Sequence, residues 1–584
     1  MIEYNRSISF GLETSTFHET FKGIQRNVTK DASQVWSYLP EQTDNSINKL
    51  HYLRDALIHE YFLNNQRDLK NLVLFFISRL KKSPFDYDLT IGLGNALKQL
   101  GQVNRVKRLY SRFNKNKPRA EIIFISLANI FFEEGSYSKA RIYYEKALSL
   151  NYKPPKGPIY VKLVYCCHNL KEFDLASNFA ELALLEGISN TTPELCLLFG
   201  NIYLGAKRYK KAIENYESGI RHLNNYSLAI RDFIAPSGGQ NGKKVKSFLS
   251  ALKLISPRTL EPKLLTNLGN ALNQMGEYEL AKVHLKKAIS LADLPYAYNN
   301  LALSLKAQGD LDGALFNLSK ADQLLPDSDL ISLNLAETHL AKGNESKAIA
   351  FFKKVVQKDK TNESAKFKLN ALLGKKTLSA PKKYVANLFD KYSETFDRHL
   401  LNSLAYKVPK EIWEVINKKY QKNYCFDKAL DLGCGTGLCG INLGKRCEEL
   451  VGIDLSKSML TKAREKGIYN KLKHLDIIDY LVNTKLEYEL ILAGDVLIYL
   501  GELDKLFQYS HGATKKNGRF IFSIELSYKR DFILTKSGRF AHSISYVKKT
   551  ANQYLWQVET EKSINIRYEN NSYVKGVLFT LVKR

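Results

Sequence analysis

Lys428-Ala-Leu-Asp431-Leu-Gly433-Cys-Gly435-Thr-Gly437-Leu438 is the stretch on which the fold of the C-terminal third turns. An apolar run gives way to glycines at three alternate positions, where the backbone can turn tightly and come close to a ligand. The helix that follows would present free N–H groups to it. The spacing is D-x-G-x-G-x-G and not the G-x-G-x-x-G of a dinucleotide site. Asp454 ends the next apolar run, 17 positions after Gly437. A carboxylate there can accept both hydroxyl hydrogens of a ribose. From Phe426 onward short apolar runs alternate with helical stretches, which predicts a parallel sheet with helices on both faces.

The rest of the chain sets the context. At 584 residues it is too long for one core. No apolar run reaches the roughly 18 residues of a membrane span, and the first residues lack the apolar centre of a signal peptide, so the expected address is cytoplasmic. Seven cysteines without a CxxC pair point to reduced thiols, with neither a zinc site nor a disulfide framework. The formal charge of +28 would suit nucleic acid. It is spread along the chain, mostly as lysine, without long basic runs, and nucleic acid is therefore not expected as the partner.

Ahead of the glycine stretch the sequence repeats itself. A turn, a large residue and an alanine recur at Gly135-Ser-Tyr137-Ser-Lys-Ala140, Lys171-Glu-Phe173-Asp-Leu-Ala176, Lys207-Arg-Tyr209-Lys-Lys-Ala212, Gly276-Glu-Tyr278-Glu-Leu-Ala281, Gly309-Asp-Leu311-Asp-Gly-Ala314 and, with Glu345 at the large position, Gly343 to Ala348. The alanines are 36, 36, 69, 33 and 34 residues apart. The interval of 69 is two periods and implies a degenerate unit near 226–257. Small residues at Ala128, Gly269, Ala302 and Ala336 face large ones at Tyr144, Tyr216, Leu285, Leu318 and Phe352. Over residues 85–362 this resembles the tetratricopeptide repeat family. The resemblance implies an all-α superhelix whose concave face binds a protein or protein-bound partner. Residues 1–84 read as a helical, partly disordered N-terminal region, and 363–381 as a capping helix and linker.

Residues 382–584 resemble a bacterial family in which such repeats precede a class I S-adenosylmethionine-dependent methyltransferase of the ubiquinone-biosynthesis type. The resemblance rests on the two motifs above, on Tyr384-Val-Ala-Asn-Leu-Phe-Asp-Lys-Tyr392-Ser-Glu-Thr-Phe396-Asp397-Arg-His399-Leu, and on Gly538-Arg539-Phe-Ala-His542-Ser-Ile-Ser-Tyr546. It implies a Rossmann-like, seven-stranded sheet with an antiparallel terminal hairpin, and S-adenosylmethionine held by Tyr392, Asp431, Gly433, Cys434, Gly435, Gly437, Asp454, Leu455, Met459, Asp476, Ile477 and Gly494. The helix from Tyr384 to Leu400 would form a lid, with Tyr392 on the carboxylate of the methionine end. Tyr499, Arg539 and Tyr546 would face the acceptor. If a base is required, Asp495, Glu525 and His542 are the candidates; an ionised carboxylate acceptor would need none of them. The alternatives are a small-molecule acceptor, with the repeats serving assembly, and a repeat scaffold without turnover.

Overall fold

A computed structural model describes residues 66–116, 121–150, 155–188, 192–234, 257–393, 395–529, 531–569 and 571–584. The disorder expected for residues 1–45 and most of the degenerate unit near 226–257 lie outside these. The chain divides into two compact units, residues 1–292 and 293–584.

In the first unit helices come in pairs joined by short turns, among them Glu121–Glu133 with Tyr137–Ser149, Pro193–Gly205 with Tyr209–Ile234, and Pro257–Met275 with Tyr278–Leu291. The pairing follows from size complementarity. A Cβ built on Gly200 would lie 2.4 Å from the Tyr216 ring, and one on Gly269 would lie 2.4 Å from Leu285. One bond recurs from repeat to repeat: Tyr144 Oη donates to Asn129 Oδ1 (2.6 Å) and Tyr216 Oη to Asn201 Oδ1 (2.8 Å), both across 15 residues. The turn five residues before each repeat alanine is left-handed throughout. Glycine fills it at 135, 276, 309 and 343, whereas Lys171 and Lys207 hold it at φ of 60° and 58°. These two lysines carry a strain that a glycine would not. Ahead of the first repeat read from the sequence, Gln66–Lys82 packs Phe76 against the Tyr87–Gln99 helix and shares its core.

The second unit opens with helices α1 (Pro295–Ala307), α2 (Leu311–Leu324), α3 (Asp329–Ala341), α4 (Glu345–Lys358) and α5 (Glu363–Leu372). Ser328 and Asn362 cap α3 and α5 by accepting from Ile331 N–H and Ala365 N–H. Next come α6 (Lys382–Tyr392) and α7 (Val408–Lys419), then the sheet. Its strands are β1 (Phe426–Leu432), β2 (Cys447–Asp454), β3 (Lys471–His474), β4 (Tyr488–Ala493), β5 (Thr514–Leu526), β6 (Phe532–Leu534), β7 (Phe540–His542), β8 (Trp556–Glu569) and β9 (Ser572–Lys583). The order β3-β2-β1-β4-β5 is parallel throughout, with β9 antiparallel against β5 and β8 antiparallel against β9. This is the class I methyltransferase arrangement, with ligands expected at the carboxyl ends of the strands where the order reverses.

Three details differ from the sequence reading. The sheet has nine strands where seven were expected, because β6 and β7 form a short extra hairpin. Phe532, Phe540 and His542 are buried there, and their apolar contacts supply the drive to pair. The segment expected to be one helix from Tyr384 to Leu400 stops at Tyr392 and resumes as a short turn at Phe396 that runs on into a wide turn through Ser403. The linker is bonded: Ala380 N–H donates to Tyr499 O (2.9 Å), while Gly501 N–H (2.8 Å) and Glu502 N–H (2.9 Å) donate to Leu378 O.

Helix α5 has two apolar faces in use. Ala365, Leu369 and Leu372 pack with Phe352 of α4, whereas Phe367 and Ala371 join Ala380, Val385, Phe532, Leu534 and Phe540 in one core. Lys536 reaches Glu345 at 2.8 Å. A fragment beginning at Ser379 would therefore expose the apolar side of β6, β7 and α6. Burying one such large side chain is worth about 1.5–3 kcal/mol. By calorimetry, a fragment beginning at Asn344 should melt at least about 5 °C above one beginning at Ser379, given about 2–4 °C per kcal/mol at this size. Equal melting temperatures would show that α5 adds nothing to the fold it touches.

Candidate active site

The loop after β1 is shaped by its glycines. Gly433, Gly435 and Gly437 have φ of 65°, 53° and 92°. A Cβ on Gly433 would meet Val496 at 2.5 Å, whereas one on Gly435 would have no heavy atom within 4 Å and faces open space. Cys434 N–H donates to Ile453 O (2.9 Å), tying this loop to β2. Asp454 completes the tie, its carboxylate accepting from Gly435 N–H (2.8 Å) and Ser456 N–H (2.7 Å).

A single pocket runs past these loops. Its wall includes Tyr392, Gly433, Gly435, Asp454, Leu455, Asp476, Ile477, Gly494, Asp495, Tyr499 and Arg539 from the sequence reading. It also includes Phe389 and Phe396 of the expected lid, together with Lys382, Leu404, Tyr406 and Arg567, which that reading did not assign. Leu455 and Ile477 offer apolar faces beside the acid at 476, and Asp476 Oδ1 caps the following helix by accepting from Ile478 N–H (3.0 Å) and Asp479 N–H (3.1 Å). The wall thus offers a carboxylate at the ribose position, apolar contacts for a flat base, and aromatic rings with two guanidiniums at the far end. That donor set fits an adenosine carrying an amino-acid tail.

Other expected residues lie elsewhere. Asp431 is buried beneath the loop, where Tyr469 Oη donates to its Oδ2 at 2.6 Å. Burial pushes its carboxyl up to about 7; the Tyr469 bond works against this rise and Asp454 adds to it. Cys434, Gly437 and Met459 are outside the pocket wall, with Met459 packed inside the domain. His542 is buried with Nε2 3.0 Å from Gly501 O, and burial holds its imidazole down to about 4. Tyr546 stacks on His542, and its hydroxyl accepts from Leu503 N–H (3.0 Å). Neither lines the pocket.

Asp495 and Glu525 meet at Arg567, a buried residue on β8. Its Nη1 lies 3.1 Å from Asp495 Oδ2, its Nη2 bonds Glu525 Oε1, and its Nε is 3.1 Å from Glu569 Oε2. Arg539 Nη1 shares Glu569 Oε2 at 2.7 Å. With side-chain exposure of 4% for Arg567, these are desolvated pairs. Taking a proton on either acid would neutralise one side of its ion pair with Arg567. The sequence hid Arg567 because a register shift between Asn565 and Arg567 interrupts the alternation of the strand. Ile566 and Arg567 are consequently both buried, where a period of two would send one of them outward.

Fold and pocket together define a methyltransferase domain of class I type preceded by tetratricopeptide repeats. Comparison with known families agrees. Residues 430–520 match the methyltransferase domain family, and tetratricopeptide repeat models match 123–154, 193–221, 262–293 and 305–372. The chain is 28% identical over 103 residues, 17% of its length and 18% of the relative, to the biotin biosynthesis bifunctional protein BioHC of Saccharophagus degradans. It is 31% identical over 109 residues, 18% of its length and 44% of the relative, to the ubiquinone biosynthesis O-methyltransferase of Pelagibacter ubique. It therefore spans less than half of either relative. A solved S-adenosylmethionine-dependent methyltransferase from Clostridium acetobutylicum matches at 20% identity and a TM-score of 0.26, over 34% of this chain and 98% of that one. No described helix is long and apolar enough to cross a membrane.

The elevated Asp431 carboxyl gives a prediction about stability. A group whose folded pKa lies above its unfolded value stabilises fully only below the unfolded value, and that contribution is lost as pH rises through the folded one. Between about pH 4 and pH 7 the native chain should lose stability relative to Asp431→Asn, which stays neutral and can still accept from Tyr469. Denaturant melts at several pH values measure the difference. A gap that does not widen over this window would remove the burial argument.

Proposed function

We propose that this chain is an S-adenosylmethionine-dependent methyltransferase whose repeats bring a protein or protein-bound acceptor to the pocket. The bound cofactor supplies an electrophilic methyl group and its own leaving group; the chain's part is to bind, orient and exclude water. Asp454 holds the ribose, the Gly433–Gly437 loop gives the tail close access to the backbone, and Tyr392 hydrogen-bonds the tail carboxylate. Arg539 and Tyr499 face the acceptor. Buried thiols, Cys166, Cys167 and Cys196 among them, suit a reducing cytoplasm.

The observation that carries the recruitment half is the placement of α6. One side of this helix lines the pocket through Val385, Phe389 and Tyr392. Another meets the last repeat helix, with the Phe367 and Tyr384 rings 5.1 Å apart and Lys368 over Tyr384. Glu337 of α3 bonds both Lys368 of α5 and Lys306 of α1, so polar side chains of three alternate helices of the array meet close to α6. A partner held along these helices lies close to the wall of the pocket.

The test has two parts. Calorimetric titration with S-adenosylmethionine should give binding that Asp454→Ala weakens by about 1.5–3 kcal/mol, the range for hydrogen bonds to a charged group. Absence of binding by the native chain would defeat the reading. Radiolabelled cofactor and a cell lysate then identify the acceptor. For a recruited protein, the fragment beginning at Asn344 should lose about 100-fold or more in kcat/KM relative to the full chain while keeping its cofactor affinity. Equal values would leave a small-molecule acceptor and a structural role for the repeats.

A further inference from the structure

Phe389-Asp390 recurs seven residues later as Phe396-Asp397. The two phenylalanines line the pocket and meet edge to face, with ring centroids 5.9 Å apart. Each following aspartate turns to a different cofactor loop. Asp390 Oδ1 accepts from Ser456 Oγ–H (2.7 Å) and Ser458 N–H (3.2 Å), on the loop whose Ser456 N–H holds Asp454. Asp397 Oδ1 accepts from Thr436 Oγ–H, inside the glycine loop, and its Oδ2 pairs with Lys466 at 2.6 Å. At the start of the segment Lys382 lies 2.7 Å from Asp479 and 3.3 Å from Asp476.

The segment from Lys382 to Asp397 is thus fastened to all three loops that follow β1, β2 and β3, and its Lys382, Val385, Phe389, Tyr392 and Phe396 line the pocket. The two aspartates differ in kind from the residues that face the pocket, because neither belongs to its wall. They bond the loops and not the space between them. We propose that Asp390 and Asp397 are positioning residues that hold this segment closed over the bound cofactor, setting how fast it leaves and not how it is recognised. This inference rests on the reading of the pocket as an S-adenosylmethionine site.

Rapid filtration of the full chain loaded with tritiated S-adenosylhomocysteine and chased with unlabelled ligand gives the release rate directly. Asp390→Ala and Asp397→Ala should each release it about 10-fold faster or more, the loss expected for hydrogen bonds to a charged group. Association should stay within about 3-fold, because the clasps act after entry. Salt separates the two clasps. Raising NaCl from about 0.1 to about 1 M cuts the screening length from about 10 to about 3 Å. Release should quicken in the native chain and in Asp390→Ala through the Lys466–Asp397 pair, and should not respond through that pair in Asp397→Ala. Asp397→Asn keeps an acceptor for Thr436 while removing the charge; it should lose the part of the salt response that the Lys466–Asp397 pair carries, with a smaller change in rate, which serves if the alanine variant folds poorly. Unchanged release in both alanine variants, or weaker affinity carried entirely by slower association, overturns the proposal. A native chain that retains no ligand defeats the cofactor reading itself, whereas bound ligand with unaltered release defeats only the clasps.

Discussion

Two backbone N–H groups converge on one carboxylate at Asp454, and the geometry of the site follows from that convergence. Gly435 belongs to the loop after β1 and Ser456 to the loop after β2. Parallel pairing fixes the strands side by side, with Asp431 beside Gly452 and Leu432 beside Ile453, but it leaves the loops beyond them free to splay. A buried carboxylate with a donor from each loop removes that freedom. Burial pushes the Asp454 carboxyl up, and the bonds from Ser456 and Gly435 oppose the rise. The contacts that hold the loops together thus also favour the charged form of that carboxylate against its burial. Pre-organisation of this kind limits how much order must be created when a ligand arrives.

The same economy extends outward. Ser456 donates its N–H to Asp454 and its hydroxyl to Asp390, so one residue fixes the cofactor loop and fastens the covering segment. The covering segment in turn rests on α5 through Tyr384 and Phe367. Repeat helix, covering helix and strand-end loop form a continuous series of packed and bonded contacts. A repeat array is built from neighbour contacts alone, and its last helix needs something to cover its outer face. Here the β6–β7 hairpin and α6 provide that cover, which is why the segment from Gly374 to Pro381, so short and polar in sequence, is held at Leu378 and Ala380.

What could be read from the residues was whatever repeats with a period or requires a special backbone. The alanine and glycine spacing marked the repeats because close helix packing admits only small residues at those places, as the contacts at Gly200 and Gly269 show. Three alternate glycines and an acid after the next strand marked the nucleoside end of the pocket. The other end was poorly legible. Arg567 lies behind a bulge that sets strand periodicity aside. His542 and Tyr546 carry chemistry-bearing names, yet their polar atoms serve backbone groups at Gly501 and Leu503. Nothing in the sequence marked Asp390 and Asp397, since their partners lie 66 and 39 residues away. Only contact in three dimensions distinguishes a clasp from a surface acid.

The acceptor end of the pocket is an electrostatic arrangement more than a set of free reagents. Arg567 occupies both acids expected to serve as bases, and Glu569 is shared with Arg539. Two guanidiniums and three carboxylates meet there. In a desolvated setting such fixed charges act more strongly than they would in water. Their mutual bonds hold them in place, which limits reorganisation when a charge changes beside them. Asp495 is held for this purpose in a left-handed backbone at φ of 60°, with its N–H bonded to Ser523 Oγ at 2.8 Å, a conformation that persists because the surroundings over-determine it. An acceptor that arrives already able to attack is consistent with this arrangement. One that must first surrender a proton would have to neutralise one side of a buried ion pair or hand the proton to a group beyond Asp495 and Glu525.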